Sequence, residues 1–208
     1  MNFIELFISG GALMWVLLSL FLISMFLIIE RFVFYSWHYF RVEDSLKRIQ
    51  EILTLGGADA SRQLPLDKSC HNPLLLAGAQ MYEAVFKGRV HFENIAQRQA
   101  HRWINRYERG LRLLALIGVI SPLIGLLGTV WGMVLAFEKM AALSDKVTPA
   151  DFAEGISLGL MTTVAGLVVA IPAIAATKIY ERKVDKLTDG FNEVSSHLEE
   201  WFFNENED

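Results

Sequence analysis

Charged residues make up only 20% of this 208-residue chain, below the roughly 25% of an ordinary soluble domain. The deficit is concentrated in three stretches. From Met1 up to Glu30 only Glu5 is charged, and Leu113 to Phe137 and Gly155 to Thr177 carry no charge at all. Each internal run exceeds the ~20 residues that cross a bilayer as a helix. At about 1.5 Å per residue each reaches roughly 35 Å, enough to cross with some tilt. A soluble enzyme, a secreted disulfide scaffold and a disordered tail are therefore excluded. Cysteine is almost missing too, and Cys70 alone can neither form an internal disulfide nor anchor a metal cluster. Excess positive charge is absent: a net charge of -4 offers no basic surface to nucleic-acid phosphate. No Lys or Arg precedes the first apolar run and no small-x-small site follows it, so it does not read as a cleavable signal peptide.

What is present reads as an all-α integral membrane protein with three transmembrane helices. The expected spans are residues 11–34, 111–137 and 154–177. Ahead of the first, residues 1–10 contain a short amphipathic piece, Asn2 to Ile8, suited to the membrane surface. Orientation follows from Lys and Arg. Arg31 to Arg112 holds 13 of them and the tail four more, whereas residues 138–153 hold two and the N-terminus none. By the positive-inside rule the N-terminus and the 138–153 loop lie outside, and residues 35–110 and 178–208 lie in the cytoplasm. The topology is N-out, C-in, with long helices extending into a cytoplasmic helical domain.

Within 35–110, Val42 to Leu53 reads as a mixed helical stretch, followed by a linker with Gly56-Gly57, Pro65 and Pro73. Apolar positions recur at helical spacing from Leu74 to Phe86. After Gly88, Phe92, Ile95, Gln99, Trp103 and Tyr107 predict a second helix running unbroken into the second span. In the tail, Val184, Leu187, Phe191, Val194, Leu198 and Trp201 alternate steps of three and four. That seam can pack against the 74–109 helices of the same subunit or pair between subunits.

The residues that interrupt the apolar spans carry the information. Gly118, Ser121, Pro122, Gly125, Gly128, Thr129, Gly132 and Ala136 mark one face of the second span. Gly155, Gly159, Thr162, Thr163, Gly166, Ala170 and Ala173 mark one face of the third. Small residues let helix backbones approach closely, and hydroxyls can hydrogen-bond across an interface. Such stripes alone are explained by ordinary packing. Each, however, also carries a threonine near bilayer depth (Thr129, Thr163) and a proline (Pro122, Pro172), which frees a backbone carbonyl inside the membrane. Side by side, the two helices would bound a narrow seam of hydroxyls and carbonyls suited to ordered water or a partly dehydrated cation. Missing from both spans is any group that titrates, which a proton relay needs. A titrating carboxylate would have to come from another polypeptide. Glu30 and Arg31 read as a charged pair at the cytoplasmic end of the first span. His71, His91, His101 and His197 show no ligand spacing, so no metal is expected. Trp15, Trp37 and Trp201 read as interfacial or packing residues, no cofactor is expected, and the acidic tip from Glu199 to Asp208 reads as a solvated end.

Ser121-Pro-Leu-Ile-Gly-Leu-Leu-Gly-Thr129-Val-Trp-Gly-Met, followed by Phe137, resembles the second-span signature of ExbB, TolQ and MotA proteins. Gly155-Ile-Ser-Leu-Gly-Leu-Met-Thr-Thr163-Val-Ala-Gly166-Leu-Val-Val-Ala-Ile-Pro172-Ala resembles the third. The resemblance, most like ExbB, implies a multi-pass subunit of a bacterial inner-membrane machine driven by the proton motive force, with residues 1–10 and 138–153 in the periplasm. It implies a homo-oligomer, a pentamer, around an ExbD-like or TolR-like single-span partner that supplies an aspartate. It matches Thr129 and Thr163 to the family's pore-lining threonines, with Thr162 and Ser121 as further members of the ion pathway. Gly125, Gly128, Gly132, Gly159 and Gly166 would serve packing, and Pro122 and Pro172 would kink their helices. ExbB-like work would power uptake with a TonB-like protein. A TolQ-like envelope role stays open, as does a MotA-like stator role, though MotA proteins add a fourth span. A non-conducting membrane scaffold is the alternative of another class. One departure stands out: many ExbB and TolQ proteins carry a glutamate five residues before the threonine matched by Thr163, and here that position is Leu158. Either nearby Glu154 serves near the outer mouth or, the preferred reading, the glutamate is dispensable in this branch. The substitution leaves the choice between proton and sodium open.

Overall fold

The computed structural model describes residues 11–37, 44–45, 47–49, 72–143 and 149–204. No strand occurs among the described residues. The elements are α1 (Gly11–Trp37), α2 (Pro73–Val85), α3 (Arg89–Glu108), α4 (Leu111–Leu143) and α5 (Pro149–Glu199), closed by a wider π-type turn at Glu200–Asn204. Three apolar helical stretches, in α1, α4 and α5, are long enough to cross a membrane. The chain is an all-α, multi-pass membrane protein. It divides into two compact units, one holding α1 up to Glu30 together with Gly110–Ile179, the other holding Arg31–Arg109 and the residues from Tyr180 onward.

In the first unit, helices are the natural outcome for uncharged apolar sequence, because in lipid each backbone polar group must find a partner within its own segment. Leu116, Val119, Leu123, Leu126 and Val130 of α4 and Leu160, Val164, Leu167 and Ile171 of α5 are exposed. In water those faces would drive aggregation; against hydrocarbon they are at equilibrium. On α1, Met14, Leu17 and Ser24 are buried, while Leu22, Phe26 and Ile29 are exposed.

The helices run past the expected span limits. α1 continues to Trp37 rather than stopping at residue 34, α4 continues to Leu143, and α5 begins at Pro149. The expected 138–153 loop is therefore helical at both ends, and residues 144–148 lie outside the described residues. Glu138 to Leu143 contains only good helix formers, and proline is well suited to a first helical position because its missing N–H has no partner there.

The second unit is a helical bundle. Asn72 caps α2: its Oδ1 accepts from the Leu74 N–H at 3.0 Å, and its Nδ2 donates to Ser45 Oγ at 2.7 Å. Asn72→Ala removes both contacts and is expected to lower stability by about 1 kcal/mol, read as a lower midpoint in chemical denaturation. A tight turn follows, in which Lys87 N–H donates to Ala84 O at 3.0 Å and Gly88 N–H to Val85 O at 3.1 Å. Gly88 has φ +101°, a left-handed conformation that L side chains rarely adopt. Leu74, Met81, Phe92 and Tyr107 are fully buried there, as are Leu187, Phe191, Val194 and Leu198 of α5. Gly78 of α2 sits against Ile49 and Val194, where a Cβ would meet Ile49 Cδ1 at 3.0 Å and Val194 Cγ1 at 3.8 Å. The tail seam from Val184 to Leu198 is thus buried within its own chain, while Trp201 is half-buried. Of the 42–53 stretch, residues 44–45 and 47–49 are helical. The rest of that stretch, residues 1–10, the 50–71 linker with Cys70 and His71, and residues 205–208 lie outside the described residues.

One expectation is corrected. The helix containing Phe92 to Tyr107 does not run unbroken into the second span. Arg109 has ψ 126°, outside the helical region, and Gly110 has φ +84°. Only glycine takes that second conformation without strain, so α3 ends and α4 starts anew.

Candidate functional site

α4 and α5 lie antiparallel in the first unit, and their small residues face each other. A Cβ placed on Gly118 would fall 2.7 Å from Ile174 Cγ1, one on Gly132 2.6 Å from Gly155 O, and one on Gly155 2.7 Å from Ala136 Cβ. On Gly166 it would fall 2.5 Å from Ser121 O, and on Gly128 it would overlap the Thr162 hydroxyl. At Gly132, Gly155 and Gly166 the obstacle includes the facing backbone, so nothing larger than hydrogen fits without moving a helix; at Gly118 it is the Ile174 side chain. The stripes therefore close on each other rather than bounding an open seam, and the gain is backbone-to-backbone dispersion over several turns.

The threonines take part in a reciprocal arrangement. Gly125 and Thr129 stand one turn apart on α4, and Gly159 and Thr163 one turn apart on α5. A Cβ on Gly159 would lie 2.7 Å from Thr129 Cα, and one on Gly125 would lie 2.9 Å from Thr163 Cα. Each threonine backbone thus sits over the other helix's glycine. Thr163 Oγ1 donates across to Gly125 O at 3.0 Å. Thr162 Oγ1 lies 2.7 Å from Gly159 O and 3.2 Å from the same Gly125 O, so its one proton is shared between two carbonyls. Thr129 Oγ1 donates to Leu126 O at 2.6 Å, and Ser121 Oγ to Ile117 O at 2.7 Å.

Ser121 and Thr162 are fully enclosed in the helix interface, whereas Thr129 and Thr163 are half-buried at its edge. The sequence stripes did not separate these two pairs. Nor did they show that one carbonyl, Gly125 O, gathers two hydroxyls; the clue was the glycine four residues before a threonine on both spans. A carbonyl can only accept, so all four hydroxyls commit their protons to the backbone. The remaining lone pairs of Thr129 and Thr163 make that edge an acceptor surface. It suits a cation or the O–H of a neutral acid, and it offers a carboxylate no donor.

Pro122 lies inside α4 and Pro172 inside α5. With no N–H of their own, they release the Gly118 and Val168 carbonyls from the usual helical bond. No titratable side chain occurs in 113–137 or 155–177. Glu154 belongs to α5, but its side chain lies outside the described residues. Leu158 is half-buried. Glu30 closes the α1 part of the first unit. Arg31 belongs to the second unit, where it is buried and its Nη1 donates to Arg106 O at 3.2 Å. The structure therefore brings together Ser121, Gly125, Gly128, Thr129, Gly132, Gly159, Thr162, Thr163 and Gly166, while Arg31 serves a separate cluster.

Comparisons with known proteins identify the family. A family model described as the MotA/TolQ/ExbB proton channel family matches residues 67–193. Biopolymer transport protein exbB1 of Vibrio cholerae is 43% identical over 107 residues, covering 50% of this chain and 45% of that protein. Biopolymer transport protein ExbB of Salmonella typhimurium is 38% identical over 96 residues, 46% of this chain and 39% of that protein. The Tol-Pal system protein TolQ of Haemophilus influenzae is 34% identical over 109 residues, 52% of this chain and 46% of that protein. The chain thus matches less than half the length of these relatives.

Proposed function

Because the chain belongs to the MotA/TolQ/ExbB proton channel family, we propose that it is an ExbB-like channel subunit of a bacterial inner-membrane energy-transducing complex. The observation that carries this reading is the half-buried acceptor edge at Thr129 and Thr163 beside two spans without a titratable group. The edge receives the O–H of a protonated acid, and the acid comes from an ExbD-like single-span companion held within a homo-oligomer of this chain, a pentamer in the family. A neutral carboxyl fits lone pairs; an ionised one would find no donor there. Protonation removes the companion's charge and lets its helix move within the ring. The proton's fall through the field supplies ~2.3 kcal/mol per 100 mV, handed to a TonB-like protein that powers uptake through outer-membrane receptors. Ser121 and Thr162 brace the two helices. No step makes or breaks a covalent bond in a substrate, so this is transport, not enzymatic catalysis.

Thr129→Val and Thr163→Val keep the volume and delete the acceptor. Each is expected to lower energy-dependent uptake at least about tenfold at normal protein level, the loss of roughly 1.4 kcal/mol from one hydrogen bond to the travelling group. Thr163→Ser is expected to retain most activity. Normal uptake together with an intact envelope in both valine variants would remove the threonine edge from the pathway. The match to TolQ supports a second reading, in which the same device serves the cell envelope; loss of envelope integrity with uptake intact in Thr163→Val favours it.

A further inference from the structure

Apart from the threonine edge, the second unit holds a cluster of cations on an aromatic platform. Its rings are Phe34, Tyr35, Trp103, Tyr107 and Tyr180. Phe34 and Tyr107 centroids are 5.2 Å apart edge-to-face, and Tyr35 stacks on Tyr180 at 5.0 Å. The platform is rigid: Tyr35 Oη donates to Tyr107 O at 2.9 Å within buried surroundings. Burial pushes the Tyr107 phenol above its ordinary range, with the Arg106 charge acting the other way, so it stays neutral and uncharged packing prevails.

Three cations sit on these rings. The Arg31 and Arg106 guanidinium carbons lie 5.1 and 5.8 Å from the same Phe34 centroid, and Arg106 is also 5.5 Å from the Trp103 ring. Lys183 Nζ lies 5.1 Å from the neighbouring Tyr35 ring. The Phe34 ring thus holds two guanidinium groups side by side by stacking. Arg106 and Lys183 are exposed and make no ion pair among the described residues. Their N–H donors point to an anion from outside the chain. In sequence the cluster starts at Arg31, directly behind the apolar run of α1, which places it at the depth of lipid headgroups. Exposed Trp37 follows three residues past Phe34, an aromatic of the kind that settles at this depth.

We propose that Arg106 and Lys183, held on the Phe34–Tyr35 platform with Arg31 beneath, bind the phosphodiester headgroup of an anionic phospholipid. Arg106 supplies the planar donor fork and Lys183 a second point charge. Arg31 is fixed by its bond to the Arg106 carbonyl and adds field rather than direct contact. The site does not depend on the threonine edge, so either can fail without the other.

The test uses the full-length protein, delipidated in detergent, with native mass spectrometry and thermal midpoints recorded as lipid is titrated in. Phosphatidylglycerol is expected to bind and raise the midpoint, while phosphatidylcholine and inorganic phosphate are not. Arg106→Gln and Lys183→Gln are each expected to weaken phosphatidylglycerol binding about fivefold, and the double variant about thirtyfold. Arg98→Gln, which removes an exposed charge elsewhere on α3, is expected to leave it unchanged. Equal binding of both lipids by the unaltered protein overturns the proposal. So does undiminished phosphatidylglycerol binding in the single variants, or an equal loss in Arg98→Gln. Equal protection by inorganic phosphate assigns the site to a free anion and likewise overturns it.

Discussion

Gly166→Ala is expected to destabilise the paired helices by about 3 kcal/mol, at the upper end for overpacking a tight interface. The reason is where the new methyl carbon would go. It would stand 2.5 Å from Ser121 O and 3.3 Å from Gly125 Cα, both backbone atoms of the facing helix. A flexible side chain could turn aside; a helix backbone cannot. Relief requires α4 and α5 to separate locally, and that separation stretches the Thr162 and Thr163 bonds to Gly125 O. Two weak interhelical bonds, each about 0.6 kcal/mol on average in a membrane, are lost together with the backbone contacts. Leu167→Ala, one residue on but on an exposed position, is expected to change the midpoint little. Thermal unfolding of the detergent-purified protein distinguishes the two. An unshifted midpoint in Gly166→Ala would mean the glycine faces do not meet as described.

Much of this was legible in the residue pattern, for physical reasons. The three spans follow from uncharged length, because hydrocarbon tolerates no other long segment. The small faces follow from a helical spacing that places Gly118, Gly125, Gly132 and Ala136 on one side. That the two stripes would lie side by side was legible, but not that they close on each other: a glycine stripe declares that a backbone comes near, not how near. The distinction between enclosed Thr162 and half-buried Thr163 rests on a difference of 100° around one helix axis. Adjacent threonines in sequence cannot reveal that until the facing helix is placed. The break at Arg109–Gly110 was hidden because a lone glycine inside helical spacing costs only about 1 kcal/mol and is often accommodated. The role of Arg31 was also concealed. Next to Glu30 it reads as half of an interfacial pair, and only tertiary structure sets it on Phe34 beside Arg106. Similarly, the helix at Glu138 to Leu143 looks like a polar loop when charge alone is counted.

The second large effect concerns conduction itself. Spans 113–137 and 155–177 hold hydroxyls and carbonyls but nothing that takes up and releases a proton between pH 5 and 8. Hydroxyls whose protons are already committed to Leu126 O and Gly125 O cannot pass protons along without breaking those bonds. Under the proposed function a companion's carboxyl adds the missing group, and the acceptor edge favours its neutral form, holding it protonated to higher pH than in water. On that reading conduction is a property of the pair of chains, and proton flux is expected to fall when the companion's acid is replaced by its amide.

Proton flux into liposomes carrying a pH difference tests this most directly, measured first with the purified chain and then with its single-span companion added. The chain on its own is expected to leave the gradient at the rate of empty lipid, and the companion is expected to collapse it. Selective, rapid dissipation by the unaccompanied chain would contradict the account, since it would require a titrating path that these two spans do not contain.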